Sequence, residues 1–428
     1  LAEDREQWNA MCARLEIPQP AGGTAVSAEQ ALEITGRIGY PALVRPSYVL
    51  GGRAMEIVYD DEHLRRAMAE IAGFGSLGRE GGLSAERPVL VDRFLEDATE
   101  VDVDAIRDAT GEVVIGAVME HVEEAGVHSG DSACSIPPTG LSAETIAVIE
   151  DYTRRIAEAL EVRGLINVQY AVKANQVFVI EANPRASRTV PFVAKATGVP
   201  LAKVASRVMV GATLGELRAE GLLRDRVAGD HVAIKEAVLP FNRFPEADAV
   251  LGPEMRSTGE VMGIDLTPGL AFVKAQLSAG TRLPDSGTVF LSLADRDKAL
   301  GITAAAGFAE LGFRLAATAG TAEALREAGL EVAVDVAKLG EAAGHDAVEL
   351  IEAGQVQLVV NSPRGRGPRA DGEHIRRAAG LAGVPLLTPG AAAGAAGNGL
   401  AGWSRHALAV PALQAYRARI HLSQPPRR

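Results

Sequence analysis

Hydrophobic and polar residues alternate most regularly between Leu165 and Arg188. A side-chain period of two predicts two β-strands there, joined by a turn at residues 174–176. The even positions predict one apolar face, made of Val168, Tyr170, Val172, Phe178, Ile180 and Ala182. The odd positions carry amide and carboxylate groups, so the pattern predicts a hairpin with one apolar face and one polar face.

The polar face of this predicted hairpin gathers oxygen-bearing side chains. A three-residue loop pairs Lys173 with Val177, and that register sets Gln169 opposite Glu181, with Asn183 two residues further along. A carboxylate with amide oxygens suits magnesium, which keeps several waters and is completed by substrate phosphates. The three side chains are therefore candidate metal ligands.

Two arginines, Arg185 and Arg188, follow the second strand of the hairpin directly. Guanidinium groups are fixed positive charges that bind phosphate or carboxylate oxygens through paired hydrogen bonds. An amphipathic hairpin with a merely solvated polar face is the alternative interpretation. One acid, two amides and two arginines on so short a face favour a ligand site.

Further elements are predicted before the hairpin. Ser27 begins a helix, and a short buried strand ends at Arg45 and leads into Gly51-Gly52, where backbone amides can approach phosphate. Acidic and apolar residues alternate from Thr99 to Ile106, which is typical of a strand at a solvent-facing sheet edge. Glu100 is the acid in that segment that suits a ribose diol.

A polar, glycine-rich loop follows, from Glu123 to Ser132. Such loops often carry ligands, although His128 alone is more typical of a hydrogen-bonded loop residue than of a catalytic base. After the hairpin the sequence predicts helices up to Gly221, a strand from Val232 to Leu239 and a helix from Thr267 to Ala279.

Beyond residue 282 short apolar strands alternate with helices, which predicts a parallel, doubly wound sheet. Ligands bind such sheets at the carboxyl ends of the strands. Hydroxyl, glycine and lysine residues leading into helices there make candidate anion sites. The residues at those ends are Ser292, Lys298, Thr318 to Thr321, Lys338 and Asn361 to Gly365.

Composition narrows the functional classes. The 428 residues include 43 basic and 55 acidic ones, for a net charge of −12, and 47% are apolar. This balance argues against nucleic-acid binding and for a protein of two or three domains with buried cores. Cys12 and Cys134 match no metal or redox spacing and fit reduced thiols of a cytoplasmic protein, and no apolar run suits a membrane. The chain starts at Leu1 within a predicted helix, which favours a fragment of something longer.

Two segments are specific enough to indicate a family. Residues 40–54, Tyr-Pro-Ala-Leu-Val-Arg-Pro-Ser-Tyr-Val-Leu-Gly-Gly-Arg-Ala, and residues 179–186, Val-Ile-Glu-Ala-Asn-Pro-Arg-Ala, resemble the signature segments of the carbamoyl-phosphate synthetase large chain. Glu120-His121, Ala125 to Cys134 and Gly252 to Gly263 are similar to it too. The resemblance is to the carboxyl-terminal half, and it covers nearly the whole chain.

The resemblance implies an α/β and α+β protein: an ATP-grasp fold followed by a doubly wound, methylglyoxal-synthase-like allosteric domain. Its implied parts are an ATP-grasp domain at 1–205, a helical and mixed extension at 206–281, and the allosteric domain at 282–428. The implied reaction is ATP plus carbamate giving carbamoyl phosphate plus ADP, within arginine and pyrimidine biosynthesis. Phosphoryl transfer needs metals and cationic clamps more than a covalent nucleophile, which agrees with the residues found.

The resemblance also implies roles for individual positions. The nucleotide would be lined by Arg45, Arg93, Leu95, Glu100, Gly126, Val127, His128, Ser129, Gln169 and Glu181. Gln169, Glu181 and Asn183 would hold two magnesium or manganese ions, and the implied cofactors extend to potassium. Arg185 and Arg188 would clamp the carbamate and the transferring phosphoryl group.

The implied allosteric site takes a phosphorylated nucleotide effector at Ser292, Lys298, Thr318, Thr321, Lys338 and Asn361. Pro363, Arg364 and Ala319 depart from the family pattern, so the effector's identity stays open. The implied partners are an amino-terminal synthetase half, which makes carboxyphosphate from bicarbonate, and a glutaminase small subunit.

Two other functions are compatible with these residues. Another ATP-grasp carboxylate ligase would usually have Lys in place of Arg45 and would lack residues 282–428 as an allosteric domain. A catalytically silent regulatory or assembly piece is the alternative from a different class. ATP formation from ADP and carbamoyl phosphate distinguishes a silent piece from an active kinase.

Overall fold

The computed structural model describes residues 4–46, 54–74, 88–224, 230–241, 243–244, 249–337, 345–362, 370–387, 390–405 and 408–416. The chain forms two compact units. The first comprises residues 1–130, 136–227 and 251–255, and the second comprises residues 131–135, 228–250 and 256–428.

The elements up to residue 219 follow in chain order. They are α1 (Arg5–Arg14), β1 (Gly22–Ala25), α2 (Ala28–Ile38), β2 (Ala42–Pro46), β3 (Glu56–Val58), α3 (Asp61–Phe74), β4 (Val89–Arg93), β5 (Thr99–Arg107), β6 (Val113–Glu124), β7 (Cys134–Ile136), α4 (Ala143–Ala159), β8 (Gly164–Lys173), β9 (Gln176–Asn183), α5 (Val190–Thr197), α6 (Leu201–Met209) and α7 (Leu214–Ala219). The predicted helix start at Ser27 is confirmed, since its side chain accepts a hydrogen bond from the Gln30 amide at 3.3 Å.

Two antiparallel sheets form the first unit. One has the strand order β1-β4-β2-β3, and its apolar face packs on α2 and α3 through residues such as Val44, Val91, Ile34 and Leu64. In the other sheet β5 lies between β6 and β8, and β9 pairs with β8. Strand β2 of the first sheet carries Arg45 and strand β9 of the second carries Glu181 and Asn183, so both sheets contribute to the candidate site.

The predicted hairpin is β8 and β9, and its pairing of Gln169 with Glu181 is confirmed. The predicted loop is wrong: Lys173 pairs with Gln176, across a two-residue turn whose Ala174 and Asn175 have φ values of 49° and 64°. Two positive φ values are the geometry of a tight hairpin turn that follows strand twist. A register shift after Gln169 compensates for the shorter loop and restores the predicted pair.

The register shift also changes which residues of β9 are buried. Val177, Val179 and Ala182 join the core, whereas Phe178 and Ile180, predicted on the apolar face, are only half-buried. On β8 the predicted alternation holds through Val168, Tyr170 and Val172. The pattern therefore predicted the apolar face of the first strand and only the end of the second.

The prediction that residues 99–106 form a solvent-facing sheet edge is wrong. Strand β5 is hydrogen-bonded on both sides, and Asp102 and Asp104 are each only 1% exposed. Their carboxylates are satisfied by buried partners: Asp102 contacts the His121 ring at 3.1 Å, and Asp104 accepts from Asn167 at 3.0 Å. Buried acids persist because they are hydrogen-bonded, and alternation alone does not distinguish them from exposed ones.

The second unit begins with a β-hairpin, β10 (Val232–Val238) and β11 (Gly259–Asp265), packed on α8 (Pro268–Ala279). It continues with β12 (Thr288–Ser292), a short 3₁₀ turn at Asp295–Asp297, α9 (Lys298–Glu310), β13 (Arg314–Thr318), α10 (Ala319–Glu327), β14 (Val334–Val336), α11 (Ala347–Glu352), β15 (Leu358–Asn361), α12 (Ala370–Ala382), β16 (Leu386–Leu387) and α13 (Gly390–Arg405). The predicted parallel sheet is confirmed, with strand order β14-β13-β12-β15-β16. This order reverses direction between β12 and β15, which is where doubly wound sheets bind ligands.

Close packing in the second unit requires glycine at one position of β11. A Cβ atom on Gly263 would lie 2.0 Å from the Ala271 carbonyl oxygen and 2.4 Å from the Ala275 nitrogen, both backbone atoms of α8. We expect Gly263→Ala to lower the free energy of unfolding by about 1–3 kcal/mol, since the helix must move away from the sheet. Thermal melting measures the change.

Gly259→Ala is the matched control for this prediction, because Gly259 lies in the same strand and the nearest atom to its new Cβ is Val238 Cβ of β10, 4.0 Å away. Its melting temperature should stay close to that of the parent chain. Equal melting temperatures for the two variants would contradict the close approach of α8 to β11.

Candidate functional site

The polar face of the β8–β9 hairpin brings the three predicted metal ligands together. Asn183 donates from Nδ2 to Glu181 Oε1 at 2.8 Å, and Gln169 donates from Nε2 to Ser129 Oγ at 3.2 Å. All three side chains belong to half-buried residues, so they are ordered by the sheet and still accessible. Oxygen donors on one strand pair, with Ser129 beside them, form the centre of the candidate site.

Arg45, at the end of β2, reaches this centre from the other sheet of the first unit. Its guanidinium lies 3.4 Å from Glu181 Oε2 and 3.8 Å from Asp92 Oδ2. Arg5 forms a second ion pair with Asp92. Burial raises the pKa of the Asp92 carboxyl, and the two guanidinium groups oppose that rise. Arg45 is thus held by carboxylates at a point where a phosphate could replace one of them.

Glu100 lies at the start of β5, and its Oε2 accepts a hydrogen bond from the Gly126 amide at 3.4 Å. Burial raises the pKa of Glu100 to about 7, while the His121 ring favours the ionised form. Gly126 has φ of 99°, and a Cβ there would lie 2.6 Å from the Phe94 ring. The loop can pass this close to Phe94 because residue 126 has no side chain.

Arg93 and His128 are held by hydrogen bonds to other segments of the first unit. Arg93 donates to the Tyr40 carbonyl oxygen, and Leu95 is a half-buried residue two positions further on. His128 accepts from the Gly130 amide through Nδ1 at 3.0 Å, and its backbone amide donates to the Gly252 carbonyl at 2.8 Å. These contacts agree with the interpretation of His128 as a hydrogen-bonded loop residue.

Arg185 and Arg188 lie in the segment between β9 and α5, and both are exposed. Arg185 donates to the Ala186 carbonyl at 3.2 Å, and Arg188 contacts the sulfur of Met255. Neither contact neutralises the positive charge. The two guanidinium groups are available to an anion, which leaves their assignment as substrate clamps a prediction.

Sequence reasoning missed two residues that shape the site. Asp104 was predicted on an exposed edge, yet it is buried and accepts hydrogen bonds from Asn167, Ser187 and Thr189. Arg5 carries no sequence signal, because its partner Asp92 lies 87 residues away. Long-range partners of this kind are set by the fold. The one available signal was for Asp104, because an acid and an amide stand on two neighbouring strands, at Asp104 and Asn167.

In the second unit four of the predicted effector residues lie at or next to the carboxyl ends of β12, β13 and β15: Ser292, Thr318, Thr321 and Asn361. Thr321 Oγ1 accepts from the Leu293 amide at 3.0 Å and lies 3.2 Å from Thr318 Oγ1, and Ser292 pairs with Asn361 across the sheet. Lys298 is at the start of α9, with its Nζ 2.8 Å from Asp295 Oδ1. Lys338, Pro363 and Arg364 lie outside the described residues.

Two further residues complete this cluster: Ser362, which lies in the predicted segment from Asn361 to Gly365, and Arg376, which was not predicted. Ser362 Oγ accepts from the Ala294 amide at 2.7 Å, and Arg376, only 2% exposed, donates to Asn361 Oδ1 at 2.9 Å. A buried guanidinium beneath hydroxyl and amide groups favours anions at this sheet edge. Arg376 has no signal in the sequence because it lies in the middle of α12, away from the strand ends.

Families of known proteins match both parts of the chain. Residues 4–217 match the model described as "Carbamoyl-phosphate synthase L chain, ATP binding domain", and residues 301–388 match the "MGS-like domain". The first match runs from α1 into α7 and includes every candidate ligand from Arg45 to Arg188. The second covers most of the doubly wound sheet.

Several curated relatives are named carbamoyl phosphate synthase large chain. The one from Synechocystis sp. is 51% identical over 97% of this chain and 37% of its own length. Those from Archaeoglobus fulgidus and Rubrobacter xylanophilus are 51% and 53% identical and are covered to 37% and 36%. This chain therefore spans little more than a third of the relatives it matches.

Solved structures support the ATP-grasp fold. The biotin carboxylase domain of Hydrogenobacter thermophilus 2-oxoglutarate carboxylase, solved with MgADP, ADP and bicarbonate, matches with a TM-score of 0.51 at 17% identity, over 64% of each chain. An N5-carboxyaminoimidazole ribonucleotide synthetase, solved as its ADP complex, matches with a TM-score of 0.51 at 14% identity, over 65% of this chain and 71% of its own. At such identities the likeness concerns the fold alone.

The described residues limit which side chains could bind a metal ion. Among the described residues, no three His, Cys, Asp or Glu side chains form a group that could hold a metal ion by themselves. A metal at Glu181 therefore needs amide oxygens and oxygens from a bound substrate.

Within the described ranges no helix is long and apolar enough to cross a membrane.

Proposed function

Because this chain belongs to the carbamoyl-phosphate synthase large-chain family, we propose that its first unit phosphorylates carbamate with ATP, giving carbamoyl phosphate and ADP. The observation that carries the proposal is the meeting of Gln169, Glu181 and Asn183 with Arg45 on one polar face. One hard carboxylate, amide oxygens and a fixed cation suit a metal-bound phosphate chain.

The donor set fits magnesium or manganese. Gln169, Glu181 and Asn183 offer only oxygen ligands and nitrogen donors, without thiol or imidazole, and Glu181 supplies the single negative charge. These three residues would hold two such ions, whose charge would neutralise the phosphate oxygens when bound. The proposal also includes potassium, a monovalent cofactor that the family resemblance implies.

The chain's own residues then bind and orient the two substrates. Arg45, Arg93, Leu95, Glu100, residues 126–129, Gln169 and Glu181 line the nucleotide, and Arg185 and Arg188 bind the carbamate and the transferring phosphoryl group. Support for the last assignment comes from exposure, since both guanidinium groups face outward with their charge uncompensated by the contacts described above. Positioned cations stabilise the charge that develops on equatorial phosphoryl oxygens.

The proposal predicts a pH-dependent preference for ribose over deoxyribose. If ionised Glu100 accepts from the ribose hydroxyls, ADP should bind more tightly than 2′-deoxy-ADP above the Glu100 pKa of about 7. That ratio of dissociation constants should fall several-fold from about pH 8 to pH 6, since one unit below the pKa leaves about a tenth of the carboxyl ionised. Calorimetric titration measures both constants, and the phosphates of the two ligands titrate alike.

Glu100→Gln is the control for this prediction, because its amide does not titrate. Its ratio of dissociation constants should be the same at both pH values. His121, Asp102 and Glu181 also face Glu100, so a pH dependence that persists in Glu100→Gln would assign the titration to one of them instead.

The remaining parts of the proposal concern the larger enzyme. The whole large chain would receive carbamate made from bicarbonate by an amino-terminal synthetase half, with ammonia from a glutaminase small subunit, for arginine and pyrimidine biosynthesis. Division into parts at residues 1–205, 206–281 and 282–428 belongs to this proposal, as does a phosphorylated nucleotide effector at Ser292, Lys298, Thr318, Thr321, Lys338 and Asn361. A cytoplasmic location is supported by two buried free thiols, Cys12 and Cys134.

The reverse partial reaction tests the proposed function. The chain should form ATP from ADP and carbamoyl phosphate when magnesium is present, and chelation of the metal should abolish the activity. Binding of MgADP without any ATP formation would contradict the proposal and favour a catalytically silent piece.

A further inference from the structure

The segment between β9 and α5, residues 184–189, carries both candidate clamping arginines and is here called the arginine loop. Its exposed end contains Arg185, and its other end returns to the protein interior at Thr189, which is only 6% exposed. An exposed cation can orient a reacting group only if the backbone that carries it is fixed. The contacts that hold this loop therefore bear on the chemistry.

One buried carboxylate holds the arginine loop. Ser187 Oγ donates to Asp104 Oδ1 at 2.7 Å, and Thr189 Oγ1 donates to Asp104 Oδ2 at 2.6 Å. Arg188 is the residue between these two donors, so the same side chain fixes the backbone on both sides of it. The two hydroxyl oxygens are also 2.7 Å apart, which makes the three groups one cluster.

Asp104 connects the arginine loop to the strands that carry the candidate metal ligands. It lies on β5 opposite Asn167 of β8, whose Nδ2 donates to Asp104 Oδ1 at 3.0 Å. Asn167 in turn pairs with Asn183 of β9, the last residue before the loop. The carboxylate thus ties the loop to the hairpin at the place where the candidate phosphate-binding groups begin.

Helix α5 begins without the usual side-chain cap. Thr189 occupies the N-cap position, but its hydroxyl makes no capping hydrogen bond and is used by Asp104 instead. A threonine at this position would ordinarily stabilise the helix by capping it. The chain gives up a local stabilising contact here and keeps a connection between β5 and the arginine loop.

Burying the Asp104 carboxylate costs free energy of desolvation, which an apolar side chain in the core would not cost. Asp104 is 1% exposed, and burial raises its pKa to about 6 against the effect of three hydrogen bonds. Buried charges can often be replaced by apolar groups without loss of stability, so their retention calls for another role. A role in orientation accounts for both the cost and the choice of partners.

We propose that Asp104 is a positioning residue, which fixes the arginine loop so that Arg185 and Arg188 meet the transferring phosphoryl group. This inference rests on the proposed function. It concerns a residue that acts through Ser187 and Thr189 and does not itself touch a substrate.

Asp108 offers a matched control in the same segment of chain. It too is a buried acid, 0% exposed, and it accepts hydrogen bonds from the Thr110 amide at 2.9 Å and the Leu214 amide at 2.7 Å. It holds the β5–β6 turn and the start of α7, which carry none of the proposed ligand residues. Asp108→Asn therefore tests the loss of a buried carboxylate without loss of the arginine loop.

The experiment compares Asp104→Asn, Thr189→Val, Thr189→Ser and Asp108→Asn in the 428-residue chain. We expect Asp104→Asn and Thr189→Val to lower kcat for ATP formation by about 10-fold to 100-fold, as displaced reacting groups do, with the MgADP dissociation constant changed less than about twofold. Thr189→Ser keeps the hydroxyl and should restore most of kcat. Asp108→Asn should keep kcat even where its melting temperature falls as far as that of Asp104→Asn.

Hydrogen exchange of the amides at residues 185–189 gives a readout that does not depend on activity. Exchange should be about tenfold faster in Thr189→Val than in Thr189→Ser if the hydroxyl restrains the loop. Two results would overturn the positioning role. One is a loss of kcat in both Asp104→Asn and Asp108→Asn that is proportional to the fall in melting temperature, and the other is unchanged hydrogen exchange of the arginine loop in Thr189→Val. If the unsubstituted chain forms no ATP, the proposed function itself is overturned. Failure of the positioning role and failure of the proposed function are therefore distinguishable.

Discussion

Glu181→Gln should lower the rate of ATP formation from ADP and carbamoyl phosphate by about 10³-fold. Glu181 is the one carboxylate among the three candidate metal ligands, and its Oε2 faces Arg45 at 3.4 Å. The neutral amide keeps the shape of the side chain but removes the charge that attracts a divalent cation. Steady-state kinetics at saturating ADP and carbamoyl phosphate measure the loss.

A matched control and a second readout make this prediction specific. Glu158→Gln changes an exposed glutamate in α4 by the same chemistry and should leave the rate unchanged. Manganese affinity, followed by electron paramagnetic resonance in the presence of ADP, should fall in Glu181→Gln and not in Glu158→Gln. A Glu181→Gln chain with near-normal turnover would show that the cation lies elsewhere.

Arg185→Ala should lower turnover by about 10³-fold while nucleotide affinity changes little, because cations on a transferring phosphoryl group act mainly in the transition state. Arg185 is exposed and its described hydrogen bond is to the Ala186 carbonyl within its own loop, so its removal breaks no contact of the fold core. The measurement pairs kcat for ATP formation with the dissociation constant of MgADP from calorimetry.

Arg163→Ala serves as the control, since Arg163 is an exposed arginine at the turn before β8 and its loss removes the same charge. It should leave both quantities unchanged. Equal losses of turnover and nucleotide affinity in Arg185→Ala would assign this residue to the nucleotide rather than to the transferring group.

The predicted hairpin shows how far alternation carries a sequence-based argument. The period of two predicted two strands and the Gln169–Glu181 pair, but the pair arises from a two-residue turn followed by a register shift. The sequence Ala174-Asn175 gave no strong turn signal, since the most recognisable tight turns have glycine after asparagine. The burial of Val177 and Val179 instead of Phe178 and Ile180 follows from that shift.

Buried acids were the main source of error at the site. Alternating acids on β5 have the same sequence pattern whether the strand is at an edge or in the interior, and only the pairing of β5 with both β6 and β8 decides between them. The partners of Asp104 lie 63 to 85 residues away, so no local pattern predicts them. Long-range hydrogen bonds are properties of the fold, which a single sequence does not display.

The second unit was easier to predict where strands are continuous and apolar. Strands β12 and β15 are buried along most of their length, and Ser292 and Asn361, which were expected at their carboxyl ends, pair with each other in the parallel sheet. By contrast, strand β1 of the first unit and strand β11 of the second unit were not predicted. They contain two glycines each and only one buried residue, Ala25 in β1 and Gly263 in β11, so neither has an apolar face to recognise.

A crystal of the chain with ADP and manganese tests the central claim most directly, because manganese is located by its anomalous scattering. We expect an anomalous peak within about 2.5 Å of a Glu181 carboxylate oxygen, with Gln169 or Asn183 and the ADP phosphates completing the ligand shell. Arg45 should then have moved from Glu181 toward a phosphate. Manganese bound to ADP with no ligand from Gln169, Glu181 or Asn183 would contradict the account.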